Sequence, residues 1–399
     1  MGIYEQFGVK PIINVSGTVT RYGGALMGDE VVAAMAEAAR QSVRLDELQA
    51  AASKVIAQIT HAEAGIVTNG ASAALTLGTA ACICGFDVVK MNRLPVTDGI
   101  PNEVIMPWHQ ISGYDHSIRV AGGKLIGFGI PNDTTRPHEV HKITRWDLEA
   151  AISEKTVAIA YAARLGSHPP LEDVVEVAKK YNIPVLVDAA AQIPPVENLH
   201  RFIDMGVDLV CFSGGKGIRG PQSSGILCGR RDLIASAVLQ MLDMAGEPFD
   251  KWNPPPSLIP KDKLQGKPEH GVGRGMKVSK EAIIGLLVAL KNLTPEGFAA
   301  KAEGLRGLLT GIGEQINDIA GVELSMSEDY KGAYPMLEVK LNQELIGKTA
   351  AQVAAELANA GIYVRDKALD QGVVIIHSLN LNAELAQYVG ECLKKALSC

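Results

Sequence analysis

Asp188 closes the apolar run Ile183-Pro184-Val185-Leu186-Val187, and Lys216 stands in the glycine-rich turn Phe212-Ser213-Gly214-Gly215-Lys216-Gly217 that ends another such run. About one helix and one strand of chain separate the two. In a parallel sheet both would project from the C-terminal edge, where open α/β proteins build their sites. A carboxylate there can hold a pyridine nitrogen protonated, and a lysine between glycines can reach an aldehyde as a Schiff base. These are the two protein groups that pyridoxal phosphate chemistry most needs. Each residue also has a plainer reading, the Asp as a cap for the next helix and the Lys as a solvent-exposed or phosphate-binding side chain. A third feature favours the cofactor: Thr68-Asn69-Gly70-Ala71-Ser72 forms a turn at a predicted helix N-terminus, where free N–H groups and the helix dipole suit a phosphate.

Carboxylate or phosphate groups of a substrate would be matched by guanidinium forks. The candidates are Arg21, Arg119, Arg219, Arg274 and Arg365, each of which could equally sit in a surface ion pair.

The elements that must position these groups follow from hydrophobic pattern. GIVTN, NEVIMP, GGKLIGFG, TVAIAYAA, IPVLVDAA, VDLVCFSG and SGILCG are short apolar runs, and helical stretches such as LEDVVEVAKKYN separate several of them. Alternating strands and helices predict a largely parallel sheet covered on both faces. Residues 1–45 read as an N-terminal arm, with KPIINVSGTVTRYGG as loop and a helix from Asp29. Residues 46–275 read as the large domain, ending in a Pro-, Gly- and Lys-rich functional loop over 245–275. Residues 276–399 read as a linking helix and a smaller α+β domain.

Composition excludes several classes. With 47% hydrophobic and 21% charged residues over 399 positions, the chain is neither disordered nor fibrous. Asp and Glu number 44 against 38 Lys and Arg, a net charge of −6, which disfavours nucleic-acid partners. Six cysteines are too sparse for a disulfide framework, and Cys82 and Cys84 have one intervening residue where a metal knuckle has two or more, so a reduced cytoplasmic setting and no metal site are expected. No run approaches a membrane span, and MGIYEQFGVKP lacks the apolar core of an export signal.

The order TNGASAAL, PWHQISGYDH, LVDAAAQIPP, FSGGKGIRGPQSSGIL resembles the fold-type I pyridoxal phosphate enzymes. It resembles in particular the branch containing bacterial seryl-tRNA selenium transferase and D-glucosaminate-6-phosphate ammonia-lyase. KPIINVSGTVTRYGG and GRGMKVSKEAIIGLL extend the resemblance over nearly the whole chain. It implies an aminotransferase-like fold with pyridoxal 5'-phosphate as cofactor. Lys216 becomes the Schiff-base lysine and Asp188 the partner of the pyridine nitrogen, and Ser213 joins Asn69, Gly70, Ala71 and Ser72 around the phosphate. His109 or His116 would stack on the ring, with His109 preferred because it lies nearer the end of NEVIMP, and Gln192 would approach the ring oxygen. The resemblance also favours Arg274 and Arg365, because such enzymes bind substrate between large and small domains, and Arg21, because the arm in this family can reach a site.

The expected activity is a lyase on a small amino acid or amino sugar acid, D-glucosaminate 6-phosphate among them, releasing a 2-keto acid and ammonia. A racemase using His116 or Tyr114 as second acid is an alternative. So is selenium transfer to seryl-tRNA, although that enzyme carries an N-terminal RNA-binding domain and the arm here begins almost at Met1. A non-catalytic regulator would need neither Lys216 nor Asp188. A homodimer or higher even-numbered homo-oligomer is expected.

Overall fold

The computed structural model describes residues 2–129, 143–164, 166–329 and 332–398. Cys399 lies outside them. The chain divides into two compact units, one of Met27–Ile193 with Glu197–Lys291, the other of the residues up to Leu26, Pro194–Val196 and everything from Asn292. Strand β1, Ile13–Val15, falls in the second, smaller unit.

The large unit holds a seven-stranded sheet of β2 (Ala64–Thr68), β3 (Glu103–Pro107), β4 (Lys124–Phe128), β5 (Thr156–Ala162), β6 (Val185–Asp188), β7 (Leu209–Ser213) and β8 (Gly225–Gly229). Their order is β2-β8-β7-β6-β5-β3-β4. Neighbouring strands run parallel except β8, which is antiparallel to both β2 and β7. All five residues of β2 and of β8 are buried, as expected of strands covered on both faces. The helix Gly70–Cys84 is apolar nearly all round and buried from Ala73 to Ala81, which fits a central helix with protein on every side. Leu171–Tyr181 instead buries one stripe, Leu171, Val174, Val175 and Ala178, and carries Lys179 and Lys180 in its last turn, where cations suit the dipole.

In the smaller unit β9 (Val322–Ser327), β10 (Met336–Leu341) and β12 (Val373–His377) form an antiparallel sheet, and β1 pairs in parallel with β11 (Ile362–Val364). Leu309, Ile312, Leu337, Val339, Val353 and Leu393 lie in its core. The division therefore falls at Leu26 and Lys291, whereas the sequence pattern placed the boundaries at 45 and 275. Two local causes account for this. The stretch read as loop contains β1, and the buried Asn380 amide donates to the Asn14 and Gly24 carbonyls (3.3 and 3.1 Å) while its oxygen accepts from the Leu26 N–H (2.9 Å), tying the first 26 residues to the C-terminal part. The helix Lys280–Asn292, expected to lead into the small domain, lends Ile283 to a cavity it shares with Leu45 and Met241 of the large unit.

Among the described residues, no single helix is long and apolar enough to cross a membrane.

Candidate active site

Strand register brings the expected residues to one edge. Thr68, the last residue of β2, pairs with Gly225 at the start of β8, and Gly225 pairs with Ser213 at the end of β7. On the other side of β7, Cys211 pairs with Asp188 at the end of β6, and Asp188 pairs with Ala162 at the end of β5. Local sequence ends each strand here: Asn69-Gly70, Ala189-Ala190 and Gly214-Gly215 follow directly.

The Lys216 turn is closed by Gly220 N–H donating to the Gly214 carbonyl (2.8 Å) and Arg219 N–H to the Lys216 carbonyl (3.0 Å). Gly215 is required by close approach, since a Cβ there would lie 2.5 Å from the Gln222 backbone. Lys216 is half-buried. Burial lowers its ammonium pKa, an effect partly opposed by the charge of Asp188. Asp188 Oδ1 accepts from the Ala190 N–H (3.0 Å) and from the Cys211 thiol (3.7 Å), so the carboxylate is held at the strand end. Burial pushes the Cys211 thiol well up, and it stays a neutral donor.

The helix Gly70–Cys84 begins against β8: a Cβ on Gly225 would lie 2.4 Å from the Gly70 carbonyl carbon and 2.7 Å from the Ala71 nitrogen. Asn69 is the N-cap without a side-chain capping bond, which leaves the first-turn N–H groups free of that competitor. Ser72 Oγ lies 2.6 Å from Ser117 Oγ, and Thr76 Oγ1 donates to the Ser72 and Ser117 carbonyls, pinning the first helical turn. His109 is half-buried, its Nε2 is buried without a hydrogen-bond partner among the described residues, and burial, followed by His168 and Arg164, lowers its pKa. Gln192 N–H donates to the Ala189 carbonyl, and its own carbonyl accepts from Asn198 Nδ2 (2.7 Å).

His116 and Arg119 are exposed, and Arg119 pairs with the buried Asp115 one turn earlier (2.9 Å). Arg274 pairs with Asp243 (2.8 Å) and lines a cavity of about 350 Å³ with Leu45, Gln49, Met241 and Lys277. Gln49 grips both polar groups of Val67, one residue before Thr68, so this cavity borders the strand that carries the cradle. Arg21 and Arg365 belong to the smaller unit, paired with Asp366 and Asp329 respectively (2.9 Å each). Arg219 is half-buried, with φ of 61°.

Three participants escaped sequence reasoning. Gln110 is fully buried and its Oε1 accepts from the Ala162 N–H (2.7 Å), fixing the segment beside His109 to β5. Ser117 and Cys211 reach Ser72 and Asp188 only through the fold. Nothing in local spacing marks any of the three.

These groups suit a phosphorylated pyridine aldehyde. A half-buried amine whose burial favours its neutral form, a carboxylate three strands along from β2 and a helix N-terminus without a side-chain cap match its aldehyde, ring nitrogen and phosphate.

Comparison with known proteins agrees. The aminotransferase class-V family model matches residues 133–368. The chain is 29% identical over 404 residues to a 5'-C-glycyluridine monooxygenase-decarboxylase of a Streptomyces species, covering 99% of this chain and 92% of that protein. It is 30% identical over 385 residues to the D-glucosaminate-6-phosphate ammonia lyase of Salmonella typhimurium, covering 93% and 91%. A solved structure of D-glucosaminate-6-phosphate ammonia-lyase superposes with a TM-score of 0.80 at 27% identity, over 100% of this chain and 98% of that one. Sheet order, site chemistry and a family match over more than half the sequence lead to one assignment: the chain belongs to the class-V aminotransferase family, with a fold-type I architecture and pyridoxal 5'-phosphate as cofactor.

Proposed function

We propose that the chain is a cytoplasmic ammonia-lyase acting on a small amino acid or amino sugar acid with a second anionic group, such as the phosphate of D-glucosaminate 6-phosphate. The observation that carries this is the placement of Lys216, in the turn after β7, within reach of the charge of Asp188 at the end of the neighbouring β6, with burial favouring the neutral amine. When bound, pyridoxal phosphate supplies an electron sink for charge developing at the substrate Cα.

The chain's own residues do the rest. Asn69, Gly70, Ala71, Ser72 and Ser213 hold the phosphate, and Asp188 keeps a proton on the ring nitrogen. His109 covers the ring, with His116 as the exposed alternative, and Gln192 serves the ring oxygen. Lys216 Nζ takes the Cα proton, because a buried amine of lowered pKa is a better base near neutral pH than an exposed one. With the Cα proton held on Lys216 Nζ, departure of a β-hydroxyl as water and replacement of the amino group by water would give a 2-keto acid and ammonia with no net oxidation. Arg274 and Lys277, which share a cavity, receive the distal anion, and Arg21, Arg119, Arg219 and Arg365 are the candidates for the carboxylate. A homodimer or higher even-numbered assembly completes the proposal.

The racemase reading asks for a second acid at His116 or Tyr114, and both side chains are exposed. A second reading, oxygen-dependent decarboxylation, has the support of a relative that covers 99% of the chain and whose name states that activity. One experiment separates them. The purified protein is incubated with D- and L-amino acids and phosphorylated amino sugar acids while ammonia, 2-keto acid, oxygen uptake and carbon dioxide are followed. Ammonia and keto acid in equal amounts without oxygen uptake support the lyase; oxygen-dependent carbon dioxide release overturns it.

A further inference from the structure

Away from the sheet edge, the large unit gathers three metal-ligating side chains that nothing above employs: His61, His200 and Asp204. His61 is the C-cap of the helix Leu45–Thr60, held at φ 58°, and His200 and Asp204 stand one turn apart on the helix Asn198–Asp204. His61 Nδ1 lies 2.8 Å from Asp204 Oδ1, and His200 Nδ1 lies 2.7 Å from Asp204 Oδ2. The two imidazoles stack with centroids 4.4 Å apart and planes at 25°. One donor atom from each residue lies within 4.8 Å of the other two.

We propose that this cluster binds one divalent transition-metal ion of the zinc type. Two imidazole nitrogens and a carboxylate oxygen form a donor set that such ions accept at about 2.0–2.2 Å. The carboxylate already lines up both rings, so an ion that replaces the shared protons needs only small side-chain movements. The location adds a second attraction, because both helices end here: His61 caps the C-terminus of one and Asp204 is the last residue of the other. Each C-terminus presents the negative end of its dipole to a cation. Imidazole ligation selects zinc, nickel or copper over magnesium and calcium, which favour all-oxygen shells. All three side chains are at least 36% exposed, so water completes the coordination and the ion exchanges with solvent. The bound ion clips the end of one helix to another some 140 positions along the chain.

The test uses the untagged, cofactor-loaded full chain, stripped with a chelator and titrated with zinc chloride by calorimetry. One zinc per chain is expected, with a zinc-dependent rise in Tm that excess magnesium does not reproduce. His61→Ala and Asp204→Asn should each weaken binding at least about tenfold and abolish the Tm rise, while the visible cofactor band shows that the fold is kept. Should either variant lose that band, His200→Gln serves in its place. Absence of zinc binding by the unaltered protein, binding unchanged in the variants that keep the band, or equal competition by magnesium overturns the proposal.

Discussion

The sheet edge and the arginines are built by opposite means. At the edge, backbone places the candidate groups: Thr68 and Ser213 each pair with Gly225, Asp188 pairs with Cys211 on the next strand, and Gly215 and Gly225 are fixed by contacts that leave no room for a Cβ. Four of the five arginines are placed by carboxylates, most of them distant in sequence. Arg21 meets Asp366, Arg274 meets Asp243 and Arg365 meets Asp329, and only the partner of Arg119, Asp115, is local. The difference is one of exchangeability. In the proposed function a cofactor gains from groups that cannot move, whereas a substrate that arrives and leaves would trade places with a resident carboxylate. An exposed ion pair such as Arg21–Asp366 contributes only about 0–1 kcal/mol, so there that trade costs little.

The largest loss is expected at Lys216. Lys216→Ala should lose the visible band of the lysine-bound cofactor and essentially all turnover; retention of both would remove the edge from the chemistry. Asp188→Asn should keep the band and slow Cα proton removal by several orders of magnitude, because an amide cannot stabilise the charge of a protonated pyridine ring. Near-normal single-turnover rates in that variant would reassign the carboxylate to capping, as its bond from the Ala190 N–H already allows.

Among the arginines the largest effect is expected at Arg274. Arg274→Ala should lower kcat/KM for a phosphorylated substrate on the order of 10², the scale of losing a charge-assisted pair of roughly 1.5–3 kcal/mol. An unphosphorylated analogue should lose far less, and equal losses on the two would move Arg274 to the substrate carboxylate or to the fold. Backbone placement has its own probe in Gly225→Ala, whose Cβ would press on the Gly70 carbonyl and the Ala71 nitrogen. Overpacking of this kind costs about 1–3 kcal/mol, read as faster cofactor release and a lower Tm. Gly304, inside the helix Pro295–Glu314 with open space around it, is the control: Gly304→Ala should raise stability by about 0.5–1 kcal/mol.

The same contrast explains what was legible in the sequence. Asp188, Lys216 and the Asn69–Ser72 turn each lie where a short apolar run meets glycine or alanine, so strand end and side chain are written in the same few residues, and β2 to β8 follow from the same runs. Ser117, Cys211 and Gln110 carry no such mark, because their hydrogen bonds span 45, 23 and 52 positions. The strand within the N-terminal arm is illegible for a related reason. β1 has three residues and owes its existence to β11, about 350 positions later, and a strand so short is indistinguishable from loop until its partner is known. His61 and His200 come together in the same way, and neither belongs to a ligand motif of recognisable spacing.

The smallest effect is the sharpest test of exchange. Asp243 is held by two donors, the Ala245 N–H on Oδ1 (3.0 Å) and Arg274 Nη2 on Oδ2 (2.8 Å), and these, the backbone bond first, keep its carboxyl below the usual range. Asp243→Asn retains an oxygen for the Ala245 N–H but removes the charge that engages Arg274, while Arg274 and Lys277 still line their cavity. If a phosphorylated substrate must displace Asp243, the variant should bind it more tightly, with KM lowered about two- to fivefold, the scale of an exposed ion pair of less than 1 kcal/mol. The gain should shrink as ionic strength rises, because added salt screens the competing carboxylate as well. A raised KM would mean instead that Asp243 orients Arg274 toward the anion, making the pair a fixed element like those at the sheet edge.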